Sequence, residues 1–103
     1  MRTPEGYVKH DIRMWLERQG AYLFLPVQTG MGKRTLDIIC CLNGLFIAIE
    51  VKREGGRKAT KPQQRIIEEI EQAGGIAFVT DSLRHCQEVL FGRGILRRLD
   101  LAL

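Results

Sequence analysis

Apolar residues of the first segment recur at helical spacing: Val8, Ile12, Trp15 and Leu16. Thr3-Pro4-Glu5 precedes them as a candidate N-cap with proline at the first helical position, and Gly20 ends the run. Ala21 to Gln28, AYLFLPVQ, reads as a first strand in which Pro26 marks an edge or a bend. From Leu36 to Lys52 the period shortens to two. The runs LDIICCL and LFIAIEVK flank Asn43-Gly44, the strongest short signal for a tight hairpin. Thr60 opens a second helix, with Thr60-x-x-Gln63 at capping-box spacing and Pro62 in the first turn. Ile66, Ile67, Ile70 and Ala73 form its inward stripe, and Gly74-Gly75 stop it. Ile76 to Thr80, IAFVT, is a short apolar strand of the kind buried inside a sheet. The helix before it supplies a crossover, which lets it run parallel to a hairpin strand. Ser82 caps a last helix reaching about Phe91, with Leu83, Cys86, Val89 and Leu90 inward, and Gly92-Arg93-Gly94 break it. The apolar tail ILRRLDLAL either covers the core or buries against a second copy of the chain. The predicted order is helix, strand, hairpin, helix, strand, helix: an α/β fold with a small mixed sheet.

The hairpin carries the candidate chemistry. A two-residue turn sets the register, so Leu42 faces Leu45 and Asp37 faces Glu50. Side chains alternate between faces. One face carries Leu36, Ile38, Cys40, Leu42, Leu45, Ile47, Ile49 and Val51. The other carries Ile39, Cys41, Phe46 and Ala48 near the turn, then Asp37, Glu50 and Lys52 at the open end. In this register Asp37 and Glu50 form a non-hydrogen-bonded pair, whose side chains approach most closely. Like charges directly opposite one another destabilise a sheet. Such a pair is tolerated when it shares a proton or when a cation sits between the two acids. A hard divalent cation such as Mg²⁺ takes oxygen ligands. Lys52, on the same face, points at the same spot.

Composition adds bounds. The 103 residues suffice for one domain with a modest core. A formal net charge of +4 leans weakly toward an anionic partner. Cys40, Cys41 and Cys86 have no C-x-x-C spacing, and two are neighbours in an apolar strand, which argues against a disulfide framework or a zinc site. They read as small core thiols in a reducing compartment. No signal peptide and no apolar run of membrane-spanning length is visible, so the expectation is a cytoplasmic protein with no membrane partner.

Other candidates surround the acid pair. Glu5, three residues before Val8, belongs to the inward stripe of its helix; it is either a carboxylate favouring the helix N-terminus or part of the site. Thr29 to Thr35, TGMGKRT, brings Lys33 and Arg34 to the start of the hairpin, either as a solvated connection or as a phosphate contact. Arg53, Arg57, Lys58 and Lys61 follow the hairpin in and beyond a glycine-rich segment expected to be mobile, a denser basic cluster than the net charge suggests. Gln63 either caps its own helix or orients a water or ligand near the acids. His10 and His85 have no acid or nucleophile spaced near them and read as surface residues.

Asp37 followed by Glu50-Val51-Lys52 resembles the motif of the PD-(D/E)XK nuclease superfamily. The finer pattern resembles its VRR-NUC branch, the small virus-type replication-repair nucleases. The likeness takes in Glu5, the stretch from Gly32 to Asp37, the hairpin ending in Glu-Val-Lys, and the Gln63-bearing helix with its glycine pair. One departure is plain: the family's Pro-Asp is Leu36-Asp37 here, and that proline carries no ligand. The resemblance implies a restriction-endonuclease-like core, αβββαβα, spanning residues 1–103 as one domain. It implies hydrolysis of DNA phosphodiester bonds with Mg²⁺ or Mn²⁺. Asp37, Glu50 and the Val51 carbonyl are then metal ligands, and Glu5 an additional acidic one. Lys52 positions or activates the attacking water, better as an electrostatic stabiliser than as a free base, and Gln63 supports the site. Lys33, Arg34, Arg53, Arg57, Lys58 and Lys61 would meet DNA. Stand-alone members of the branch resemble virus- or phage-encoded homodimers acting on branched DNA such as Holliday junctions. Two other readings compete: a nucleic-acid-binding module with a vestigial site, and a structural protein whose apolar tail binds a partner.

Overall fold

A computed structural model describes residues 2–27 and 32–96. The end of the expected first strand at Gln28, the loop residues 29–31 and the tail 97–103 lie outside the described residues. The elements follow the predicted order: α1 (Pro4–Arg18), β1 (Tyr22–Phe24), β2 (Ile38–Leu42), β3 (Leu45–Val51), α2 (Lys61–Gln72), β4 (Ile76–Thr80) and α3 (Leu83–Gly92). The strands form one mixed sheet in the order β1-β2-β3-β4. The first three are antiparallel neighbours, while β4 returns through α2 to lie parallel to β3.

Local signals account for the boundaries. The Thr3 hydroxyl accepts from the Gly6 N–H, Thr60 and Gln63 close a capping box, and the Ser82 hydroxyl accepts from the His85 N–H. Asn43 and Gly44 both have positive φ, 53° and 79°, as the tight hairpin turn demands. The Asn43 amide also donates to the Ile95 carbonyl at 2.9 Å, which ties the turn to the chain after α3. The register is the one predicted, running from Leu42↔Leu45 to Ile38↔Ile49.

Each face of the sheet has its own core. On one, Ile12, Trp15 and Leu16 of α1 and Cys86 and Leu90 of α3 pack on Ile38, Cys40, Leu42, Ile47, Ile49 and Val51. On the other, Ile66, Ile67 and Ile70 of α2 pack on Ala48, Ala77 and Ile39. Leu36 departs from expectation by joining this second cluster. Strict alternation holds only inside the ladder, which begins at Ile38, and the bend at Asp37 turns Leu36 over.

β1 is shorter than AYLFLPVQ suggested, because only three residues pair with β2 and Pro26 cannot donate to a ladder. α2 lies over β3 and β4. Tyr22, Phe24 and Phe46 are left exposed on the same side of the sheet.

Candidate active site

The open end of the β2–β3 hairpin gathers the chemistry. Asp37 stands one residue before β2, and Glu50 and Val51 close β3. The Asp37 carboxylate accepts the Val51 N–H at 2.9 Å, so it folds back across the strand end rather than pointing into solvent. Glu50 is 6% exposed, a buried acid in the central strand. Lys52 Nζ lies 3.5 Å from Glu50 Oε2 and is itself mostly covered. The Lys52 N–H donates to the Thr80 carbonyl at 2.8 Å, which carries the β3–β4 pairing one step beyond the strand. The two acids and the ammonium group are therefore brought together by three main-chain constraints: a tight turn, an antiparallel ladder and a parallel neighbour.

Electrostatics mark the same place. Burial first, and the negative charge and hydrogen bonding of Asp37 after it, push the Glu50 carboxyl up to about 7 against the opposite pull of Lys52. An acid held in this way gains from any cation placed between it and its neighbour.

The remaining predicted residues sort clearly. The Val51 side chain is buried in the α1/α3 core, so only its main chain is available to the site. Gln63 Oε1 accepts the Thr60 N–H at 2.9 Å and is thereby engaged in capping α2. Glu5, expected to face inward, is exposed in the first turn of α1. The stripe meets the sheet only from Val8 onward, and the first turn overhangs it. Among the described residues no group of three His, Cys, Asp or Glu side chains is placed to hold a metal ion, so the acid pair stands without a third carboxylate. Arg53, Lys58 and Lys61 are exposed in the chain that follows β3, and Arg34 is exposed three residues before Asp37. Lys33 pairs with Glu69 of α2.

Asp81 and Thr80, with supporting contacts, were not singled out from the sequence, and His85 was read there as a surface residue. Asp81 accepts the Gly55 N–H at 3.0 Å and pairs with Arg57 at 3.8 Å, so it anchors the glycine-rich segment that was expected to be mobile. Thr80 is fully buried, and its hydroxyl lies 2.8 Å from His85 Nδ1. His85 is thus half-buried rather than a surface residue. Burial first, and Arg57 second, hold its proton affinity below the usual histidine value, against the opposite pull of Asp81 and Glu88. The signal for these residues was their place after a strand expected to run parallel to the acid-bearing one.

The donor set suits a hard divalent cation. Two carboxylates and one carbonyl are oxygen ligands, and Mg²⁺ commonly takes one or two protein carboxylates while keeping several waters. No helix among the described residues is long and apolar enough to cross a membrane. No family model and no curated protein matches the sequence. A solved structure described as a VRR_NUC domain is similar to this chain, with 22% identity, 86% of this chain and 96% of that one covered, and a TM-score of 0.74. The chain shares the α/β fold of that VRR_NUC domain, a four-stranded mixed sheet with flanking helices.

Proposed function

We propose that this protein is a metal-dependent endonuclease that hydrolyses DNA phosphodiester bonds, selects branched DNA such as four-way junctions, and acts as a homodimer. The observation that carries the reading is the meeting of Asp37 and Glu50 at one strand end with Lys52 alongside. A purely structural role would not retain a buried acid beside a second acid, since apolar residues there would cost less.

In this reading Asp37, Glu50 and the Val51 carbonyl hold a Mg²⁺ or Mn²⁺ ion. Such an ion makes a hydroxide nucleophile available near neutral pH and offsets charge on the phosphate oxygens. The chain's own residues set up the rest. Asp37 is oriented by the Val51 N–H and hydrogen-bonded to Glu50, a proton-sharing contact that a bound cation would replace. Lys52, held by the Thr80 carbonyl through its main chain, directs its ammonium group toward the acids, where it can orient water and offset the charge that develops on the phosphorane. Exposed Arg34, Arg53, Lys58 and Lys61 flank the site and offer contacts to phosphates on either side. A two-fold dimer would present equivalent sites to equivalent strands of a junction. Glu5, exposed and outside any three-acid cluster, is assigned no ligand role, and Gln63 acts through its helix cap.

A labelled four-way junction incubated with the pure protein and Mg²⁺ tests the proposal. Cleavage that is lost in Asp37→Ala, and also lost on chelation, is expected. Salt-sensitive binding without cleavage in any divalent metal would favour the vestigial-site reading instead.

A further inference from the structure

We propose that the sheet face beside α2 is a stacking platform for unpaired nucleobases. Tyr22, Phe24 and Phe46 supply the ring faces, and Lys33 and Arg34 contact the adjoining phosphates. The inference deepens the nuclease reading and rests on it for the identity of the ligand.

The aromatic exposures are large: Tyr22 78%, Phe24 60% and Phe46 48%. The three rings share one face. Tyr22 pairs with Cys41, which pairs with Phe46, and Phe24 pairs with Ile39. Paired residues of an antiparallel ladder lie on the same side, and Ile39 packs toward α2. Glu50 belongs to this side as well, by the same alternation, and the Asp37 side chain meets it there. Phe24 thus lies about 7 Å along the strands from the acid pair, two residues at ordinary strand rise. A base stacked there would belong to a nucleotide close to the bond being cut.

Charge selects the ligand. Between Phe46 and α2 lies a cavity of about 430 Å³ with Phe46, Ile66, Ile70 and Gly75 in its apolar wall and Lys33 and Arg34 at its rim. A Cβ on Gly75 would come within 2.9 Å of Ile70 and 3.1 Å of Phe46, so only glycine lets the ring seat this closely. The exposed Lys33–Glu69 pair is weak and exchangeable for a phosphate. An apolar, ring-lined wall with a cationic rim fits a base joined to a phosphate, since stacking and phosphate neutralisation are the two elements of sequence-tolerant single-strand binding. A second copy of this basic chain would bring like charge to the same rim.

Two labelled oligonucleotides separate the contributions: a thymidine strand of about 12 nucleotides, within the usual site size, and an abasic strand of equal length. Both are titrated by fluorescence anisotropy in EDTA, so that binding is read without any metal. The thymidine strand is expected to bind roughly 5- to 150-fold tighter, the range given by stacking one base. The double substitution Tyr22→Leu and Phe24→Leu keeps the apolar area but removes the ring faces. Both side chains are exposed, so folding should persist, as circular dichroism checks. This variant should lose the preference for bases while keeping its affinity for the abasic strand. The thymidine strand, and not the abasic one, should also slow alkylation of exposed Cys41. Equal affinity for the two strands, or a preference that survives the double substitution, overturns the platform. So does sedimentation showing a wild-type dimer that becomes a monomer in the variant, which would make the face a subunit interface. Junction cleavage is scored separately. Cleavage without base preference refutes only the platform, and base preference without cleavage refutes only the nuclease reading.

Discussion

Glu50→Gln should make the metal-free protein more stable at pH 8, although it removes a group proposed to be essential for activity. Glu50 titrates near 7 in the folded chain against 4.5 for an ordinary glutamate, chiefly because it is buried and secondarily because of Asp37. Between those values the folded state binds a proton that the unfolded state has released. Stability therefore falls as pH rises through this window, and the full penalty is present above about 7. A shift of this size corresponds to on the order of 3 kcal/mol. Gln carries no charge and has nearly the same shape, so it escapes the penalty. For a domain of this size a gain of this order corresponds to a rise in Tm of roughly 10 °C or more.

Thermal melts of wild type and Glu50→Gln in EDTA, at steps from pH 4.5 to 8.5, test this. The two curves should converge at the acid end and separate as the pH rises. His85 bends both curves in the opposite direction, because a depressed histidine costs stability as pH falls, but it does so equally in each protein and cancels in the difference. Mg²⁺ at about 100 times its Kd should then raise wild type by about 3 kcal/mol and leave Glu50→Gln nearly unchanged. Equal stability of the two proteins at pH 8 without metal would refute the picture of a strained, buried acid. A constant difference across the pH range would show that the gain has another source.

Asp37→Asn keeps an acceptor for the Val51 N–H, whereas Asp37→Ala orphans it at a cost of about 1–3 kcal/mol, offset in part by relief of Glu50. Both should abolish junction cleavage, and a melt should rank Asn above Ala. Gln63→Ala should lose about 1 kcal/mol of stability by opening the capping box, while Gln63→Glu keeps the cap and should cleave like wild type. Loss of cleavage in Gln63→Glu at unchanged Tm would give Gln63 a direct part in the site. Cys41 should be the first thiol alkylated, seen as a single adduct by mass spectrometry, because Cys40 is buried and raised to about 11 and burial raises Cys86 further still.

What could be read from the chain is what short-range geometry controls. Asn43-Gly44 admits one tight turn, that turn admits one register, and the register carries the ladder to Ile38↔Ile49, one step short of Asp37 and Glu50. Thr60 and Gln63 close a capping box at the spacing seen in the sequence for the same reason: both partners lie within one helical turn. Prediction failed where an outcome depends on how distant elements meet. Helical periodicity put Glu5 on the stripe of Val8, but periodicity does not say how far along its axis a helix overlaps the sheet. Alternation put Leu36 on the α1 face, but alternation stops where the ladder stops. The run YLFL reads as a strand with two apolar sides, and nothing in it says that one side would stay open. That depends on where α2 comes down, over β3 and β4. Thr80 and Asp81 escaped notice for a related reason: their partners Lys52, Gly55 and Arg57 are far away in the chain and adjacent only through the parallel β3–β4 pairing. The acids of this site are therefore placed by a local device, whereas the groups that hold its lysine and its basic segment are placed by a crossover. Substitutions at the second set should perturb the geometry of Lys52 without touching the convergence of Asp37 and Glu50.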